Sequence, residues 1–171
     1  MTPALLLIDV QNNMLRPPEP VPDADRVAAA IAAVLARARS ARAIVVHVRN
    51  NGTEDDPDVP GSPGWAFVHD VREGEHIVDK TTPDSFDGTP LASLLPPSAP
   101  LVVAGMQSEF CVRSTSLAAL RRGHTVTLVS DAHATYDGST PAATTSKAVD
   151  AELSAEGVTL TTSETVDFAA R

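Results

Sequence analysis

The chain has 171 residues, 43% of them hydrophobic and 20% charged, a balance that supports a packed core and argues against wholesale disorder. A formal net charge of -9 speaks against a phosphate-backbone or anionic-membrane partner, and a single cysteine excludes an internal disulfide. The length suits one domain spanning 1–171, and MTPALLLIDVQ lacks the basic segment and long apolar stretch of a signal peptide, so a cytoplasmic location is expected.

Residues 4–10, ALLLIDV, are continuously apolar apart from Asp9, as expected of a strand covered on both faces. The prolines of RPPEPVPD then bar helix and central strand. Asp23 is placed to cap a helix running to about Arg39, in which Val27, Ile31, Val34 and Leu35 form one apolar stripe. AIVVHV (43–48) follows as a β-branched strand. From Arg49 to about Gly74 the periodicity fails, in NNGTEDDPDVPGSPGW above all, and a loop that long reads as functional. HIVDK (76–80) is expected to be a strand, and a brief helix starts near Thr89 with Pro90 at its first position. LVVAG (101–105) is a strand, residues 109–122 a helix closed by Gly123, TVTLVS (125–130) a strand, residues 140–155 a helix, and VTLTT (158–162) the last strand. Six strands alternating with helices predict an α/β fold: a three-layer sandwich with a six-stranded parallel sheet and helices on both faces.

In such sheets ligands bind beyond the carboxyl ends of the strands, and three polar residues fall there. Asp9 closes the first strand; it is either a turn aspartate or a partly buried acid with a raised pKa. Lys80 closes IVDK and would ordinarily be solvated unless Asp9 lies opposite. Cys111 follows LVVAG by the short turn MQSEF. With Ser108 as N-cap it falls in a first helical turn, where free backbone N–H groups stabilise a thiolate; alternatively it is a small buried hydrophobe. Together the three offer a nucleophile, a base and a cation for covalent catalysis, with N–H groups of GMQSEFC available to an oxyanion.

These segments, LLLIDVQNNM, DKTTPDSFDGTPL and VVAGMQSEFCVRSTSLAALRRGHTVTLVSDAHAT, taken in that order, resemble the isochorismatase-like cysteine hydrolases over nearly the whole chain. The resemblance implies a catalytic triad of Asp9, Lys80 and Cys111 and a cis peptide at Met106–Gln107. It also implies an oxyanion hole made by the N–H groups of Gln107 and Cys111, and a homo-oligomer, dimer or larger. Asp9 would take the thiol proton, the thiolate would attack an amide carbonyl, and water would hydrolyse the thioester. Nicotinamidases of this family hold a metal through an Asp-x-His pair after the second strand. Here that region reads HVRNNGTEDDPDVPGSPGW, so no metal and no cofactor is expected, and Asp55, Asp56 and Asp58 are expected to be solvated.

Gln11 is a candidate to orient Asp9 or the substrate, and Trp65, Phe67, Phe86 and Phe110 are candidate pocket walls or structural plugs. His133 is expected just past the fifth strand as a packing or hydrogen-bonding residue, and His124 on the surface. The expected activity is cleavage of an amide, carbamoyl or lactam bond of a small molecule. Competing readings are ether or ester hydrolysis on the same fold, and two non-catalytic ones. A nucleotide-binding module is weakened by the absence of G-x-G-x-x-G or a P-loop, and a redox sensor would need an external thiol.

Overall fold

The computed structural model describes residues 1–169, so the last two residues of the expected 1–171 domain lie outside the described residues. Its elements are β1 (Ala4–Ile8), α1 (Asn12–Leu15), α2 (Ala24–Ser40), β2 (Ile44–Asn50), β3 (His76–Lys80), α3 (Leu91–Leu94), β4 (Leu101–Met106), a π-helical turn (Ser108–Val112), α4 (Arg113–Arg121), β5 (Val126–Ala134), α5 (Ala142–Ala155) and β6 (Thr159–Thr161). The six strands form one sheet in the order β3-β2-β1-β4-β5-β6, and every pairing is parallel.

The alternation along β1 explains the layers. Leu5 and Leu7 point into one core, with Val27, Ile31, Val34 and Leu35 of α2, while Ala4, Leu6 and Ile8 point into another, with Val112, Ala118, Val149 and Leu153 of the π-helical turn, α4 and α5. All five β1 residues are buried, as a central parallel strand requires. No described helix is long and apolar enough to cross a membrane.

Three local features differ from the sequence expectation. Asp23 occupies the N-cap position of α2 but in the left-handed region (φ 55°), and its carboxylate reaches Arg26 at 3.9 Å. Strand β5 runs to Ala134 instead of ending at Ser130, because a bulge interrupts its pairing: Val103 lies opposite Leu128, but Gly105 lies opposite His133. His133 is therefore within the strand and buried. His124 is buried too, against the expectation of a surface position, because its Nδ1 lies 3.0 Å from the Ala99 carbonyl and its ring stacks near Phe86.

Candidate active site

Asp9 ends β1 with φ 51°, a left-handed conformation that aspartate tolerates better than a β-branched residue would. Ile8, the residue before it, pairs with Gly105 of β4, whose φ is 128°; a Cβ there would collide with the Ile8 carbonyl oxygen, so only glycine lets β4 approach β1 at this level. The chain then passes through a cis Met106–Gln107 peptide into the π-helical turn that bears Cys111. Such turns are rare and recur at functional sites.

These devices bring the three strand-end residues together. Lys80 Nζ lies 3.0 Å from Asp9 Oδ2, 3.3 Å from Cys111 Sγ and 3.4 Å from Asn50 Oδ1, so its three hydrogens have three partners. Asp9 and Lys80 are almost wholly buried, whereas Cys111 retains partial exposure. Asp9 Oδ1 is buried without a hydrogen-bond partner among the described residues.

The electrostatics follow from that burial. Desolvation pushes the Asp9 carboxyl above its ordinary value, and the Lys80 ammonium offsets this only in part. Burial pulls Lys80 down, but the Asp9 and Cys111 side chains outweigh it and hold the ammonium up. Burial, followed by the Asp9 charge, pushes the Cys111 thiol up to about 12. The expectation of a thiolate stabilised at a helix start is thus corrected: at rest the sulfur is a thiol. Ser108, expected as the N-cap, is instead the first residue of the π-helical turn, with Gln107 in the cap position, and its Oγ lies 2.8 Å from His133 Nδ1 and 2.9 Å from Ser146 Oγ.

The surrounding shell contains residues that sequence reasoning passed over. Asn50 stands between Lys80 and the loop: its N–H donates to Gln11 Oε1 (2.8 Å), and its Nδ2 donates to Asp58 Oδ2 (2.7 Å). Asp58 is therefore buried rather than solvated, because the loop folds back on β2. Gln11 Nε2 donates to the carbonyls of Asn50 and Trp65 (both 3.1 Å), so Gln11 braces the loop. Arg49 lies 3.4 Å above the Trp65 ring and 4.9 Å from that of Phe67 while paired to Asp79. Phe110, beside the cysteine, is 53% exposed; Phe86 is buried in the core with Leu91 and Val112, which makes it packing rather than an open wall.

The chemistry available is compact: a thiol, a basic carboxylate with one unpaired oxygen, and an ammonium that touches both. Among the described residues no three His, Cys, Asp or Glu side chains converge so as to hold a metal ion. The polar side chains that follow His47, at the end of β2 and just past it, are instead engaged with protein groups, Arg49 with Asp79, Asn50 with Lys80 and Asp58, and Asn51 with the Trp65 indole. They do not fit a zinc site, and no chemical step below passes through a metal.

Residues 3–165 match the family model for the isochorismatase domain. A streptothricin hydrolase of Streptomyces noursei is 42% identical over 98% of this chain and 71% of its own length. A second streptothricin hydrolase from that organism is 46% identical over 78% of this chain, and the match spans only half of that relative. Among solved structures, an isochorismatase from Pseudomonas putida superposes with a TM-score of 0.86 at 28% identity, over 97% of this chain and 90% of that one. A pyrazinamidase of Pyrococcus horikoshii, solved in complex with zinc, gives 0.81 at 25% identity, over 95% and 99%.

Proposed function

The chain belongs to the isochorismatase family of hydrolases, and from that premise we propose that it cleaves a C–N bond of a small molecule through a thioester on Cys111. The observation that carries this reading is the single ammonium of Lys80 within 3.0 Å of Asp9 and 3.3 Å of Cys111.

A thiol held near 12 attacks nothing unaided, so the proton must leave as the sulfur moves onto the carbonyl. Asp9, whose basicity burial has raised, accepts that proton, and Lys80 balances the negative charge that passes between carboxylate and sulfur. The sulfur adds to the amide carbonyl and the electron pair moves to oxygen, where the N–H groups of Gln107 and Cys111 receive the oxyanion. Collapse breaks the C–N bond; the protonated Asp9 delivers its proton to the departing amine and leaves a thioester. Asp9 then deprotonates a water that adds to the thioester, and the acid is released as the thiol re-forms.

Amide, carbamoyl and lactam substrates all suit this sequence, and the name of the Streptomyces noursei relatives makes streptothricin the first compound to try. The test is product release from a panel of streptothricin and small carboxamides, lactams, carbamoyl compounds and esters, followed by mass spectrometry. The reading requires turnover of a C–N substrate that disappears in Cys111→Ala. Turnover confined to esters, or preserved in that variant, contradicts it.

A further inference from the structure

A second buried polar chain begins at the nucleophile turn and runs away from the Asp9 side of the site. Ser108 Oγ, fully buried, is 2.8 Å from His133 Nδ1, and His133 Nε2 is 2.9 Å from Asp150 Oδ1 on α5. Ser146, also on α5, approaches the same Ser108 oxygen at 2.9 Å. We propose that His133, oriented by Asp150, is a positioning residue for the reaction, which through Ser108 anchors the π-helical turn carrying Cys111. The inference rests on the reading of Cys111 as nucleophile.

The hydrogen directions support it. The Asp150 carboxylate only accepts, so Nε2 carries hydrogen and, in the neutral ring, Nδ1 is the acceptor. Ser108 then donates to Nδ1, and its remaining lone pairs take the hydrogen of Ser146. Ser108 cannot itself be a nucleophile, being sealed from solvent. Its hydroxyl is instead directed off the turn, into β5 and α5. The placement also needs a special backbone: the bulge that lengthens β5 past Leu128 sets His133 opposite Gly105, which on its other side pairs with Ile8, the residue before Asp9. One ring thereby ties three elements to the turn whose exact register decides how Cys111 meets Asp9 and Lys80.

Two amide side chains separate the two halves of the ring. His133→Asn keeps an acceptor near the Nδ1 position but falls short of Asp150; His133→Gln reaches Asp150 but removes the acceptor for Ser108. The positioning role requires that Gln lowers kcat about tenfold with KM within twofold, and that Asn recovers most of the loss. A loosened turn also lets the thiol drift from Asp9 and into solvent, so in His133→Gln the pH midpoint of Cys111 alkylation by iodoacetamide moves down toward the ordinary thiol range. Equal kcat values in both variants, or a change in KM alone with an unmoved alkylation midpoint, overturns the proposal. Should His133→Gln not fold, Ser108→Ala decides by the same readouts, since it removes the hydroxyl through which the ring holds the turn; a wild-type kcat and midpoint there overturn it. Alkylation needs no substrate, so an altered midpoint in a protein that hydrolyses no amide would sink the amidase reading and leave this one standing.

Discussion

Along β2, His47 faces one buried ionic cluster and Asn50 another, and the two are built to opposite ends. Glu75 accepts from Arg39 through both oxygens (2.7 and 3.0 Å), from the Arg72 N–H (2.9 Å), and lies 2.8 Å from His47 Nε2. Burial alone would raise Glu75, yet these donors hold it down to about 2. Burial lowers His47, which stays neutral and donates to that carboxylate. In the Asp9 cluster burial wins: Asp9 and Cys111 both sit above their ordinary values, and Asp9 Oδ1 lacks a hydrogen-bond partner among the described residues. Donor count separates them. A carboxylate with every lone pair answered is a brace; one left short of donors keeps its basicity for a proton that has yet to arrive.

Substitutions should widen that contrast. The largest effect is expected of Cys111→Ala, which removes the nucleophile and lowers turnover by about 10⁴-fold or more with the fold intact, read by product release and circular dichroism. Asp9→Asn is expected to lower kcat by about 10²–10⁴-fold. It should also bring the pH midpoint of Cys111 alkylation down from about 12, because the neighbouring charge is gone. In the wild type, Asp9 must start ionised, so kcat should fall on the acid side at a pH above the ordinary carboxylate value of 3.8.

Glu75→Gln should do the reverse of these, damaging stability and sparing chemistry. The depression from 4.5 to about 2 corresponds to at most about 3 kcal/mol of stability, and to less once solvent screening of the Arg39 pair is counted. A depressed carboxylate contributes fully above its unfolded value of 4.5 and loses that contribution as pH falls through 4.5 toward 2, so wild type and variant should converge in acid. Urea titration at several pH values measures this, and a loss of kcat without loss of stability would erase the distinction between the clusters. The smallest effect is expected of Asn50→Ala, which takes one acceptor from Lys80 and one donor from Asp58, at about 1 kcal/mol or a fivefold loss in kcat/KM.

Much of the site could be read from the apolar runs. ALLLI, HIV and LVVAG each end at a polar or reactive group, and a parallel sheet puts such ends on one edge, so Asp9, Lys80 and Cys111 were legible without coordinates. What escaped was long-range. The β5 bulge hides behind SDAHA, whose polar residues look like the end of a strand, and the two partners of His133 lie far from it in the chain, Ser108 in the π-helical turn and Asp150 on α5. Asn50 and Asp58 looked like ordinary loop polarity because their burial depends on the loop folding back over β2. Of the two readings of Cys111, a thiolate at a helix start is disfavoured, because a helix start stabilises an anion only modestly, whereas desolvation and a carboxylate beside the sulfur act strongly in the other direction.

The central claim is that the sulfur of Cys111 bonds covalently to the acyl part of the substrate. Rapid acid quench of the enzyme during turnover, with intact-protein and peptide mass spectrometry, addresses it most directly. The account predicts an added mass equal to the substrate less its departing amine, located on the peptide containing Cys111 and absent from Cys111→Ala. Turnover proceeding with Cys111 unmodified in the quenched enzyme, and continuing in Cys111→Ala, would contradict it.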